Sequence, residues 1–417
     1  MRNKLLLVDR LIMYYFIFQI LFLRWLVGWS YFNYLSVPII LVIIFKKKKY
    51  FRIKFLNIIV FILFGLVIFI NVLANGIHEL FISNFYTEGI ANLIPIFYIS
   101  VLIVENYKGF KNFIINDFFW ILNIYFIINI PIILKQLNHT YFLMRFVSNN
   151  PMYEDHITGL IGGSGTHQLT FYWVLLVLIN IYRGLKKKNS IVFIVTGFYI
   201  IFMFIVSSRN DNTAFFIIFP IIMIQYFLIF ILKDKLSILK FIKYCMLIII
   251  VIVSTKYLYE NNSYINEFVN TRVLDKIEQF DSLVNKKNYS QNDDEERIYL
   301  YKVALELGDG YRFGKGIGSI KSYGESSLPK HFGMSEISFR TYEGGLIYLI
   351  SLIIIFSYSL NDIFIRRKRN NLISFIIISI NLTFFSIYTM VFREVFFMFS
   401  LAIIVFIFSE LFNNDIK

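Results

Sequence analysis

Cysteine is almost absent: Cys245 is the one example in 417 residues, which excludes an intramolecular disulfide framework and a cysteine-based metal cluster. Charge is nearly as scarce. Asp, Glu, Lys and Arg make up 16% of the chain, against about 25% in a soluble domain. Hydrophobic residues supply 58%, with 48 Phe, and the mean hydropathy is +0.65. Long apolar runs recur from end to end, so the sequence reads as an all-α polytopic membrane protein. The net charge of +14 would suggest nucleic acid in a soluble chain. Beside membrane spans, lysines and arginines instead set topology, and no nucleic-acid partner is implied. The opening "MRNKLLLVDRLIMYYF" lacks a small-residue cleavage site and reads as a retained first span rather than a signal peptide.

A helix needs about 20 apolar residues to cross a hydrocarbon core of roughly 30 Å. That length predicts about twelve spans, near 11–29, 31–45, 54–73, 88–104, 117–134, 169–183, 190–207, 213–232, 241–258, 344–361, 371–391 and 395–412. Three regions result. Residues 1–258 carry the first nine spans, with outer loops near 74–87, 135–168 and 207–212. Residues 259–343 form one large outer loop, and 344–417 hold the last three spans and the C-terminus. The basic loops "KKKKYFRIK" (46–54), "ENYKGFK" (105–111), "RGLKKKN" (183–189), "KDK" (233–235) and "RRKR" (366–369) all fall on one side. The positive-inside rule makes that side cytoplasmic, and both termini join it. The large loop is expected to be partly helical: "DDEERIYLYKVALELG" opens with Asp293 and Glu296 at capping-box spacing and closes at Gly308. Ile298, Tyr301, Ala304 and Leu305 then make one apolar face.

Few charges fall at mid-depth in the spans, and no internal repeat is evident; both argue against transport through the bundle. Polar residues gather instead at outer span ends, in three places. In "SSRND" (207–211), Arg209 precedes a helix start whose unpaired N–H groups favour an anion; the bland alternative is an interfacial anchor paired with Asp211. In "HITGLIGGSGTHQLTFYW" (156–173), Gly163 and Gly165 permit close backbone approach, Thr166 is placed to cap the following span, and His156 and His167 lie nearby. The third runs from Arg297 to Glu343, with "GDGYRFGKGIGS" (308–319), His331, Glu336 and Arg340. Its glycine run is not a Walker loop, since Gly316 follows Lys315 where Ser or Thr is required. "DDEE" reads as a solvated acidic cap rather than a metal site. Arginines, two anion-favouring helix starts and several candidate bases suit a substrate with a lipid tail and an anionic head.

"GLIGGSGTHQL", "SSRNDNTAFFIIF", "RIYLYKVALELGDGYRFGKGIGS" and "SEISFRTYEGGLIYLISL" come in the order and topological positions of the Wzy-type polysaccharide polymerases, which this chain resembles. These are related to the O-antigen ligases; both are multi-span glycosyltransferases of the bacterial cytoplasmic membrane with one large outer loop. The resemblance covers the whole chain in architecture and four patches in motif. It implies that Arg209, at the family's SxSR position, binds a lipid diphosphate. Arg297 stands eleven residues before Gly308, matching a family arginine that opens the helix before the glycine run. Two positions depart from the pattern: His156 stands where members often carry arginine, and Met334 and Ser335 replace the His-Asn pair of the ligases.

The resemblance implies a donor already activated on undecaprenyl diphosphate, so no cofactor or metal is needed. A hydroxyl of the acceptor repeat unit attacks the anomeric carbon and the diphosphate leaves. Arg209 and Arg297 would stabilise that leaving group, and Glu336 (or His331) would accept the proton. His156, His167, Thr166, Gly163, Gly165, Arg340, His331 and Glu343 are the expected substrate-binding residues. Membrane lipids, a flippase and a chain-length regulator are the expected partners. The alternatives are a ligase that moves finished polymer onto a lipid acceptor, and a flippase or exporter for lipid-linked oligosaccharides.

Overall fold

The structure is a computed structural model that describes residues 4–27, 55–86, 91–139, 142–143, 157–162, 165–210, 212–233, 266, 297–320, 328, 332, 335–365, 371–392 and 395–412. Every regular element among them is helical. We number the main helices α1 (Leu7–Phe18), α2 (Phe55–Asn75), α3 (Ala91–Phe113), α4 (Phe119–Asn138), α5 (Thr166–Lys187), α6 (Ser190–Arg209), α7 (Thr213–Lys233), α8 (Arg297–Glu306), α9 (Glu336–Ile365), α10 (Asn371–Tyr388) and α11 (Val395–Phe412). Four helical stretches are long and apolar enough to cross a membrane: Ala91–Asn138, Thr166–Lys187, Ser190–Arg209 and Glu336–Ile363. Shorter apolar helices occupy Ile62–Asn75, Ala214–Leu228, Ser374–Tyr388 and Val395–Glu410. The expected spans 31–45 and 241–258 lie outside the described residues, as does most of 259–343.

The stretch expected as the basic loop "ENYKGFK" is helical instead. The chain nevertheless turns back there, at Asn106 (φ −149, ψ 63). Neighbouring contacts trace the reversal. The Asn92 amide donates to the Phe392 carbonyl just before α11, Phe110 packs edge-on against Phe406 further down α11, and Phe118 returns to Phe399. The Asn106 side chain fixes the bend by accepting from the Gly109 N–H at 3.0 Å and donating to the Lys4 carbonyl at 2.8 Å.

Several polar side chains inside the bundle are paired across helices, which offsets the cost of burying them away from water. Asn123 and Asn180 exchange amide hydrogen bonds between α4 and α5 (2.8 and 3.2 Å), and Gln225 and Asn381 do so between α7 and α10 (2.7 and 2.9 Å). At one end of the bundle Lys111 binds Glu410 at 2.7 Å, Tyr182 donates to the same carboxylate, and Arg10 binds Asp117 at 2.8 Å. The opposite end carries the loops of interest. Phe171 near the start of α5 touches both Phe385 near the end of α10 and Phe397 at the start of α11, so these ends share one level.

Candidate functional site

Two loop assemblies occupy that level. The first is laced by neutral amides. The loop Ile157–Gly162 lies against the end of α6, where Asn210 makes two bonds to the backbone of Ile157: the N–H donates to Oδ1 at 2.9 Å, and Nδ2 donates to the carbonyl at 3.0 Å. From α4, Gln136 Oε1 accepts from the Gly159 N–H and Asn129 Oδ1 from the Leu160 N–H. Gly159 sits at φ +59, and a Cβ there would collide with the Asn129 side chain, so only glycine closes this turn without strain. Asn212 caps α7 by accepting from the Phe215 N–H and donates to Thr170 Oγ1 at 2.9 Å. Thr158 Oγ1 and Ser207 Oγ are buried with no hydrogen-bond partner among the described residues. Buried hydroxyls of that kind need a ligand, a water or some other account.

Arg209 ends α6, four positions before the first residue of α7. It is exposed, and among the described residues it pairs with no carboxylate. Thr166 departs from expectation. Gly165 holds the cap position of α5, and Thr166 lies inside the first turn, buried, with its carbonyl accepting from Thr170. Its side chain does not cap the helix, because the tight Gly162–Gly165 turn delivers the chain one residue early. His167 follows it, half-buried.

The second assembly is charged. Arg340 is wholly buried, with Nε 2.5 Å from Glu336 Oε1 and Nη1 3.0 Å from Glu343 Oε2. Each carboxylate then holds a different segment with its other oxygen. Glu336 Oε2 accepts from the Phe392 N–H at 3.1 Å, and Glu343 Oε1 accepts from the Gly318 N–H and from Asn84. Helix α9 breaks at Gly345 (φ +74), where a Cβ would strike the Arg312 carbonyl. The glycine-rich loop repairs the break: Lys315 and Gly316 donate to the carbonyls of Tyr342 and Glu343, and Leu346 donates to Gly310. Asn71 and Asn75 bind the Phe313 carbonyl from below.

Glu336 is the expected proton acceptor. It is fully buried, and both of its oxygens are engaged inside the protein, so it positions Arg340 and the turn before α11. Arg340 and Glu343, expected to bind substrate, join it in the same buried clamp. Arg297 opens α8, which packs on α9 through Leu300 and Ala304 near Phe339. Among the described side chains of α8, Leu300, Val303 and Ala304 are buried while Tyr301 and Leu305 are only half-buried, so the helix is rolled toward α9 relative to the expected face; the side chain of Ile298 lies outside those described. Asp293, Glu296, His156, Gly163 and His331 lie outside the described residues.

No hydrogen bond or ion pair among the described residues links Arg209 to the clamp. Nor do three His, Cys, Asp or Glu side chains among them converge as a metal ion requires. The residues that reading by charge passed over are amides: Asn71, Asn84, Asn129, Gln136 and Asn210. Their signal was present, since each interrupts or ends an apolar run. No family model matches the chain, and neither a curated protein nor a solved structure matches it.

Proposed function

We propose that the chain is a polysaccharide polymerase that joins polyprenyl-diphosphate-linked oligosaccharide repeat units at the outer face of a bacterial cytoplasmic membrane. One observation carries the reading. The four sequence patches that resemble the Wzy-type enzymes dock two by two at one end of the bundle. The residues leading directly into "GLIGG" meet "SSRND" through Ile157 and Asn210, and "GDGYRFGKGIGS" meets "SFRTYEGG" through Glu343 and Gly318. Segments that merely capped separate spans would have no reason to interlock in this way.

In this reading the acceptor hydroxyl forms a bond to the anomeric carbon as the bond from that carbon to the diphosphate oxygen breaks. The electron pair leaves with the diphosphate, and the hydroxyl proton passes to water at the outer face. Arg209, exposed and unpaired among the described residues, stabilises the leaving charge. Such a donor is worth about 10²–10³ in rate. Arg340, Glu336 and Glu343 hold the neighbouring loops in register, and the isoprenoid tail runs along the apolar outside of the bundle.

The test is a glycan gel from cells whose sole copy carries Arg209→Ala, with membrane expression verified. The expected result is collapse of the ladder to a single repeat unit. A full ladder left on the polyprenyl carrier would point to the ligase reading. An unaltered, correctly attached ladder would return Arg209 to the role of an interfacial anchor and sink the proposal.

A further inference from the structure

The end of α5 opposite the loop assemblies carries a cation that the proposed reaction does not use. The Arg183 guanidinium carbon lies 3.8 Å from the centre of the Phe119 ring and 5.3 Å from that of Trp120. Attraction to the aromatic rings holds the guanidinium in place without using any of its N–H donors. Its Nη1 is buried and has no hydrogen-bond partner among the described residues. Carboxylates on neighbouring helices do not serve it: Asp117 is taken by Arg10 and Glu410 by Lys111. Just beyond it, Lys187 and Lys188 are exposed.

Lys188 itself is informative. It sits in the left-handed region at φ 51, ψ 41, closing the two-residue turn between α5 and α6. Glycine suits that conformation better, so the lysine sits there against backbone preference. The walls around the cations are apolar and outward-facing. Trp120 and Ile124 are more than half exposed on α4, as are Ile191 and Ile194 on α6. A tryptophan beside basic residues at the end of apolar helices is the arrangement found at a membrane interface.

We propose that this corner is a binding site for an anionic phospholipid. The headgroup phosphate accepts from Arg183, with Lys187 and Lys188 adding charge, while the acyl chains lie along Ile124 of α4 and Ile194 of α6. The shared chemistry is a phosphate monoanion. The lipid, rather than free phosphate, is favoured because the apolar walls begin where the cations end. This corner belongs to the side that the basic loops mark as cytoplasmic, where anionic lipid is concentrated.

The experiment is native mass spectrometry of the full chain in mild detergent, with phosphatidylglycerol or phosphatidylcholine of matched acyl chains. The wild type should retain phosphatidylglycerol preferentially. Each basic side chain near such a surface contributes about fivefold in affinity, so Arg183→Gln should remove most of that preference. Lys188→Gly guards against a folding artefact: it relieves the backbone, should be at least as heat-stable as the wild type, and should still retain about fivefold less phosphatidylglycerol. Equal retention by both variants would overturn the proposal, as would equal binding of phosphatidylcholine by the wild type. Displacement of the lipid by millimolar inorganic phosphate would also overturn it, showing a small-anion site instead.

Discussion

Helices α5 and α6 are consecutive and pack side by side, yet they obey opposite rules. In α5 the most apolar window has a mean hydropathy of 1.3 and is 83% buried; in α6 the corresponding figures are 2.5 and 22%. Water would enforce the reverse order, with the greasier helix inside. Here the helix bearing Thr170, Tyr172, Asn180 and Tyr182 is the central one, and Phe198, Ile201 and Phe204 face outward. The lesson is that the medium around α6 is apolar. The interior is where the polar groups meet their partners.

That contrast can be broken from the inside first. Arg340→Ala strands two buried carboxylates, and removing one partner of a buried pair costs about 3–5 kcal/mol. Loss of the folded protein in size-exclusion chromatography after extraction would register it, and a normally folded variant would contradict the clamp. Next in size, Ile201→Arg places a charge in the middle of the exposed face of α6. In lipid this costs about 2.5–3.5 kcal/mol, whereas at a water-exposed position it would be within about 0.5 kcal/mol. A membrane-insertion assay on that helix separates the two cases. The smallest effect is expected at the amide pair: Asn180→Leu should cost about 0.6–1.7 kcal/mol, read as a lowered unfolding temperature. Adding Asn123→Leu should recover part of it, because the orphaned amide then disappears as well.

How much of this was legible in the sequence follows from which signals are periodic. Apolar runs of helical length are visible without a structure, and so is the gathering of polar residues at their ends. The reversal near Asn106 was legible as the basic loop 105–111, but its helical conformation was not, since a helical turn containing Lys108 and Lys111 looks like any basic loop. The roll of α8 depended on its neighbour α9, which no local pattern encodes. At the site, Glu336, Arg340 and Glu343 were visible as charges at i, i+4 and i+7, but their mutual burial was not. The two oxygens of Glu336 are spoken for by Arg340 and by Phe392, a residue 56 positions away. Amides such as Asn129 and Gln136 carry no charge to draw notice, though they hold the glycine loop in place.

The distances along the chain have a consequence for how this end of the molecule is made. Asn71 and Phe313 are 242 residues apart, and Asn92 and Phe392 are 300 apart. At roughly 5–20 residues per second, the amide of Asn92 waits about 15–60 s for its partner to leave the ribosome. Through that interval the ends of α2 and α3 stand with polar groups unclaimed. Completion of the charged assembly is therefore a late event in biogenesis. A chain truncated before α11 would retain most of its helices and lack the turn that closes them.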